Sequence, residues 1–142
     1  MRTRTSTWFE CKIRYDKMME DGMQKKITEL YVVDALSFTE AESSIIDEMS
    51  AYISGEFEVR DIKKAPYGEI FFSEDASADR FFKAKLQFIT IDEKTEKEKR
   101  SNVNYLVHAN TFNQAVANID KVMGTTAIDY VIASVAETQI MD

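Results

Sequence analysis

Residue types that define disulfide-rich and zinc-binding proteins are nearly absent from this chain of 142 residues. It has one cysteine, Cys11, and one histidine, His108, so it can form neither an internal disulfide nor a Cys/His zinc cluster. Its four glycines do not form a phosphate-binding loop. No apolar run approaches the ~20 residues of a membrane helix, and the N-terminus lacks the apolar segment of a secretory signal. We therefore expect a cytoplasmic protein with no cofactor, no metal and no membrane partner.

The chain is acidic overall, but its charge is unevenly distributed. A formal net charge of −7 argues against nucleic-acid binding driven by total charge. Residues 1–17 nevertheless hold five basic side chains against two acidic ones, whereas residues 34–79 hold twelve acidic against three basic. One region is therefore expected to be locally positive on an acidic protein.

The second half of the chain repeats the first. Residues 31–49 (YVVDALSFTEAESSIIDEM) align without a gap with residues 105–123 (YLVHANTFNQAVANIDKVM). The identical pairs are Tyr31/Tyr105, Val33/Val107, Ala35/Ala109, Phe38/Phe112, Ala41/Ala115, Ile45/Ile119 and Met49/Met123. Such self-similarity identifies the architectural unit. We predict a single domain, residues 1–142, made of two repeats at about 6–73 and 80–142 with a linker at 74–79.

Each repeat has the pattern of two strands, a helix and further strand sequence. Apolar residues alternate along the first strand at Phe9, Cys11, Ile13 and Tyr15. The helices begin with capping boxes, SFTE at 37–40 and TFNQ at 111–114. We predict an α+β fold of two tandem ββαββ-like repeats with pseudo-two-fold symmetry. The sheet is expected to be mainly antiparallel, with one helix per repeat packed on the Tyr/Val/Ala strand face.

The ends of the repeats align less regularly. Phe57 and Val59 align with Ile128 and Tyr130, with a register uncertain by about one residue. Gly55 and Gly124 follow the two helices, where a left-handed C-cap is expected.

Two strands combine an aromatic residue with basic ones on the face turned away from the helices. The row in the first half contains Trp8, Lys12 and Arg14, and the row in the second half contains Phe81, Lys83 and Lys85. Such rows can stack bases and neutralise phosphates, so they are candidate residues for binding single-stranded nucleic acid. The alternative is that the basic residues decorate an exposed strand while the aromatic covers a sheet edge or a dimer contact.

Asp34 and His108 occupy equivalent positions in the two repeats. If they formed a polar pair, the carboxylate would orient the imidazole for acid–base chemistry. The alternative is a polar pair at the seam between the repeats, or two exposed side chains. Cys11 lies on the alternating strand and is expected to be a buried, inert thiol. No catalytic residue is therefore assigned.

The strings WFECKIRYDK, YVVDALSFTEAE and KKAPYGEIFF resemble a family of short gut-bacterial and bacteriophage proteins, catalogued as domain of unknown function 4494. The resemblance covers essentially the whole chain. It implies a setting in a phage or another mobile element, and it supplies no activity and no site residues. The order of four strands and a helix between Phe57 and Met123 also resembles the PUR-type single-strand nucleic-acid-binding repeat.

The sequence thus leads to three hypotheses about function. The first is a non-catalytic binding or assembly module, able to form homo-oligomers through its sheet edges. The second is a single-stranded nucleic-acid binder that uses the two aromatic and basic rows. The third is an enzyme that uses His108.

Overall fold

The computed structural model describes all residues, Met1–Asp142, and contains eight strands and two helices. The strands are β1 (Arg2–Thr5), β2 (Trp8–Met18), β3 (Gln24–Asp34), β4 (Phe57–Lys64), β5 (Glu69–Phe72), β6 (Arg80–Ile91), β7 (Glu98–Ala109) and β8 (Asp129–Glu137). The helices are α1 (Phe38–Tyr52) and α2 (Phe112–Met123). The chain divides into two compact units. Unit 1 comprises Met1–Thr5, Pro66–Thr138 and Asp142, and unit 2 comprises Ser6–Ala65 and Gln139–Met141.

Unit 2 is a three-stranded antiparallel sheet covered on one face by α1. The strand order is β3-β2-β4, and every pairing is antiparallel. The core contains the alternate residues of the β2–β3 hairpin and the apolar stripe of α1, namely Phe9, Cys11, Ile13, Tyr15, Val33, Ala35, Ala41, Ile45 and Met49. The period of two in the strands and the helical spacing in α1 therefore meet on one buried surface.

Unit 1 has the same arrangement with two additional strands. Its sheet has the order β1-β5-β7-β6-β8, in which only the β5–β7 pairing is parallel. The core under α2 contains Phe71, Phe82, Ala84, Leu86, Tyr105, Val107, Ala109, Ala115, Ile119 and Met123. The prediction of an α+β fold with mainly antiparallel sheets, and of one helix per repeat on the Tyr/Val/Ala face, is confirmed.

Both helices begin at the expected capping residues. The Ser37 side chain accepts a hydrogen bond from the Glu40 amide at 3.1 Å, and the Glu40 carboxylate accepts one from the Leu36 amide at 3.1 Å. In the second helix, Thr111 accepts from the Gln114 amide at 3.1 Å. Gln114 Oε1 in turn accepts from the Asn110 amide at 2.8 Å. Two otherwise unpaired amides at each helix start are thus satisfied by the box.

The two units share a ββαβ core, in which β2, β3, α1 and β4 correspond to β6, β7, α2 and β8. Loop 19–23 joins the first hairpin and loop 92–97 the second, so the second loop is longer by one residue. A register shift interrupts the last strand of each core at an equivalent position, with Arg60 bulged in β4 and Ala133 bulged in β8. The shared bulge fixes the structural alignment of the repeats.

That alignment corrects the expected equivalences in the last strand. Tyr15 pairs with Phe57 and Phe88 pairs with Tyr130, so Phe57 corresponds to Tyr130 and not to Ile128. The sequence alignment is wrong there by two residues. A shift of two leaves the same side chains on the buried face of a strand, so the apolar pattern cannot detect it.

Two other details differ from expectation. Gly124 ends α2 in a right-handed conformation with φ −64. The only glycine with positive φ is Gly22, in the first hairpin. Neither helix therefore has a left-handed glycine cap. The order of strands also departs from a PUR-type repeat, because β4 lies in the sheet of unit 2 whereas β5, β6 and β7 lie in that of unit 1. Strand order depends on long-range pairing, which the local pattern does not encode.

Each unit also contains a short segment that, in sequence order, comes directly after the core of the other unit. β5, which comes after β4, pairs in parallel with β7, and Ile70 lies opposite Leu106. Ile140, which comes after β8, forms a parallel bridge to Leu30 on β3. The Met141 amide also donates to the Leu30 carbonyl at 2.7 Å. The ββαβ core of each unit is therefore extended on the same side by chain from outside it.

Replacing Ile140 by alanine is expected to destabilise unit 2. Ile140 is 4% exposed, and truncating a fully buried isoleucine costs about 2–4 kcal/mol. Urea unfolding followed by the fluorescence of Trp8, the only tryptophan, measures the change. Ile128→Ala is the matched control, because Ile128 is 43% exposed. Equal effects of the two substitutions would show that Ile140 does not help to hold β3.

Candidate functional site

The row on β2 combines a buried aromatic with balanced charges. Trp8 is 5% exposed, Lys12 is exposed and Arg14 is half-buried. Across the sheet, Lys12 lies opposite Asp61 and Arg14 lies opposite Glu58. Each basic residue of this row therefore has an acidic neighbour on β4, and the face carries little net charge.

The row on β6 also has a buried aromatic, but the residue opposite Lys85 on β8 is not acidic. Phe81 is 5% exposed, and its ring stacks on His108 with centroids 4.9 Å apart. Lys83 is half-buried, with its ammonium 6.0 Å from the centroid of Tyr67. Lys85 is exposed and has Asn104 on one side and Ser134 on the other. Ser134 occupies the position that Asp61 holds in unit 2, so the carboxylate is missing here.

In each row the aromatic side chain is buried, whereas one basic side chain is exposed. A base stacks on a ring whose face is open to solvent, and both Trp8 and Phe81 are in the interior. Of the six candidate nucleic-acid-binding residues, the exposed ones are Lys12 and Lys85. Stacking through Trp8 or Phe81 would require the chain to expose them, whereas contact with phosphates through the lysines would not.

The open surface beside Lys85 is rich in amides. On the face of unit 1 opposite α2, five polar side chains lie on β6 and β7, and we call them the amide face: Lys85, Gln87, Arg100, Asn102 and Asn104. The Gln87 amide nitrogen donates to Asn102 Oδ1 at 3.3 Å. Arg100 Nη1 donates to Gln87 Oε1 at 3.3 Å. These bonds link Arg100, Gln87 and Asn102 across the two strands.

The sequence contained a signal for the missed part of this surface. Asn102 and Asn104 alternate with Val103 and Tyr105, which pack in the core, so the period of two places both asparagines on the open face. The residues missing from the predicted row are thus Asn102 and Asn104, which lie on β7 opposite Gln87 and Lys85. Arg100 forms an ion pair with Glu98, whose carboxylate lies 3.2 Å from Arg100 Nε.

His108 lies in unit 1 and Asp34 in unit 2, so the two residues of the predicted polar pair belong to different units, and their pairing stays a prediction. The carboxylate beside the imidazole is Asp142, whose Oδ1 lies 2.8 Å from Nε2. The atoms are within ion-pair distance but are not aligned for a hydrogen bond. Phe81 covers one face of the ring, and Phe72 approaches its edge with centroids 6.4 Å apart. His108 is thus packed among aromatics.

Unit 2 contains a buried carboxylate that the sequence analysis did not identify. Glu29 is 7% exposed, and the Tyr31 hydroxyl donates to its Oε1 at 2.8 Å. Burial, followed by interaction with Glu29, raises the pKa of Tyr15 and of Tyr31, so both hydroxyls remain protonated and able to donate. The position equivalent to Glu29 in unit 1 is Val103, which packs against the core. The cluster is therefore a satisfied polar part of the core of unit 2.

The thiol of Cys11 is fully buried. Burial raises its pKa to about 11, with smaller contributions from the carboxylates of Glu48, Asp61 and Glu10. A thiol with this pKa is almost wholly protonated at neutral pH, and only the thiolate is a nucleophile.

Cys11 is therefore expected not to react with Ellman's reagent in the folded protein. At pH 8 roughly one thiol in a thousand would be ionised, and the reagent cannot reach it. Adding urea should release one fast-reacting thiol per chain. Rapid reaction before unfolding would contradict the burial of Cys11.

Two further observations bear on metals and membranes. No group of three or more His, Cys, Asp or Glu side chains is arranged to hold a metal ion. Neither α1 nor α2 combines the length and the apolar character that crossing a bilayer requires.

The fold and this surface define an α+β protein built from a duplicated ββαβ core with an open, amide-rich sheet face. The chain belongs to the family described as domain of unknown function 4494 (DUF4494), whose model matches residues 7–142. No curated protein and no solved structure is significantly similar to the chain.

Proposed function

We propose that this protein is a non-catalytic binding module and that its amide face binds single-stranded nucleic acid. The observation that supports this proposal is the alignment of Gln87, Asn102 and Asn104 between two exposed basic residues, Lys85 and Arg100. Amide groups both donate and accept hydrogen bonds, so they match the edges of unpaired bases. Lys85 is suited to a phosphate directly, and Arg100 binds one in exchange for its ion pair with Glu98.

The electrostatics of the two units favour unit 1 as the binding side. Lys12 in unit 2 and Lys85 in unit 1 are equivalent, but Lys12 lies opposite Asp61 whereas Lys85 lies opposite Ser134. At the next pair both members differ, because Arg14 and Glu58 correspond to Gln87 and Val131, so neither pair carries a net charge. A strand that is repelled by the acidic chain as a whole would therefore meet less repulsion at the amide face.

The small number of exposed basic residues sets the strength and salt dependence of this binding. Each neutralised phosphate contributes about −0.7 to the logarithmic salt slope for single strands, so two contacts give a slope of about −1.4. We expect modest affinity and a shallow salt dependence. Amide contacts to bases then contribute a larger share of the binding than they do in strongly basic proteins.

The same proposal includes where the protein acts in the cell. A single buried thiol suits a reducing cytoplasm, and single-stranded nucleic acid is present there during replication and transcription. A phage or mobile-element origin, which the family resemblance implies, fits a small accessory binder of this kind.

Reversing the charge at Lys85 is expected to weaken binding, whereas the same change at Lys12 is not. Fluorescence anisotropy with a labelled single-stranded oligonucleotide at low salt should give a Kd about tenfold higher for Lys85→Glu, equivalent to about 1.4 kcal/mol. The salt slope should also become shallower by roughly 0.7. Lys12→Glu is the matched control, since it makes the same change at the equivalent position.

Asn102→Ala tests the role of the amides separately. This variant keeps every charge, so its salt slope should be unchanged while its preference among homopolymeric oligonucleotides changes. Absence of binding by the wild-type protein at low salt would refute the proposal. An equal loss in Lys85→Glu and Lys12→Glu would refute the assignment to the amide face.

A further inference from the structure

β8 is an edge strand with no charge in its interior. It pairs with β6 alone, and its other side is the outer edge of the sheet of unit 1. Seven consecutive residues, Tyr130–Ala136 (YVIASVA), are uncharged, and the acidic residues Asp129 and Glu137 stand at the two ends. Unpaired backbone groups along such a strand are a template for pairing with another strand.

The equivalent edge in unit 2 shows that folding does not require this composition. β4 has the same place in its sheet and the same bulge, but its sequence is FEVRDIKK. Glu58, Arg60, Asp61 and Lys63 of β4 correspond to Val131, Ala133, Ser134 and Ala136 of β8. Charged side chains protect an edge strand from association, and β8 has lost this protection at every one of these positions.

Exposed apolar side chains lie beside the same edge. Ile128 is 43% exposed and Val131 is 38% exposed. The corresponding residues in unit 2 are Gly55 and Glu58, neither of which has an apolar side chain. Pairing at β8 would therefore remove apolar area from water in addition to satisfying backbone groups.

A second copy of this chain is the partner that fits the edge. Two β8 strands can pair antiparallel about a two-fold axis, with uncharged residues facing uncharged residues and the end carboxylates kept out of the centre. Two molecules of net charge −7 repel each other, so a neutral segment is where close approach is least opposed. The opposite edge of the same sheet is β1, which has four residues, two of them arginines. This short and charged edge is protected from pairing with another strand.

We propose that the protein forms a homodimer in which the β8 strands of two copies pair antiparallel, making a continuous ten-stranded sheet from the two copies of unit 1. Pairing about an axis perpendicular to the sheet places both amide faces on the same side. The dimer does not depend on the proposed nucleic-acid binding, and it forms without ligand.

Sedimentation velocity of the full chain over a range of concentrations, with no nucleic acid present, tests the dimer. The wild-type protein should show concentration-dependent dimerisation, and Ala133→Lys should raise the dissociation constant at least tenfold by placing a charge in the middle of the edge. Ala51→Lys is the matched control, because it makes the same charge change at an exposed site on α1 and should dimerise as the wild type does. Circular dichroism and urea unfolding check that both variants are folded.

Hydrogen exchange locates the interface in the same samples. Amides of β8 should exchange more slowly in the dimer than in the monomer, while amides of β4 should be unchanged. Three results would overturn the proposal: a wild-type protein that stays monomeric at its highest soluble concentration, an Ala133→Lys variant that dimerises as tightly as the wild type, or a dimer whose protected amides lie in β3 or β4.

Discussion

The packing of one face of a β-hairpin under a single amphipathic helix is the constraint on which both units depend. Alternate residues of each hairpin are committed to the core, and Cys11, Ile13 and Ile45 in unit 2 have no exposed surface at all. A slip of one residue would turn this apolar set to the open side, so the register of the long strands is firmly specified. Six of the seven repeat identities lie on residues of the two cores, so folding alone accounts for them; the seventh, Phe38/Phe112, is at the first residue of each helix and is about half exposed.

The opposite face of each sheet does not pack on the helix, and there the two units have diverged. In unit 2, charges on neighbouring strands compensate one another, and the last strand is charged along its length. In unit 1, the compensating carboxylates are replaced by small or apolar residues, which leaves an amide-rich face and an edge strand without internal charge on the same sheet. Because the core is duplicated, unit 2 serves as a reference for unit 1. Where unit 2 folds with a charged residue, the neutral residue at the equivalent position of unit 1 is not a requirement of folding.

Local patterns in the sequence predicted the local parts of this structure. Capping boxes, the stripe Ala41/Ile45/Met49 and the alternation along β2 all act between residues that are near in the chain, and all three appear as expected. Partners distant in the chain were not predictable, because the parallel pairing of β5 with β7 and the bridge from Ile140 to Leu30 depend on which edges remain free after the cores form. At the candidate site, the sequence located Lys85 and the orientation of its strand. It did not reveal that Trp8 and Phe81 would be covered, since an aromatic on the outer face of a strand looks the same whether that face is open or packed.

The bridge between Leu30 and Ile140 has a consequence for the order in which the molecule is made. Unit 2 consists almost entirely of early residues, yet Ile140, which bridges to its β3 edge, is synthesised 110 positions after Leu30. At ~5–20 residues per second, translation of that interval takes roughly 5–20 s. During this time Leu30 lacks its bridge to Ile140, and its backbone groups are open to pairing with another strand. Residues 139–141 are therefore needed to complete unit 2, and a chain interrupted before them has an incomplete early half.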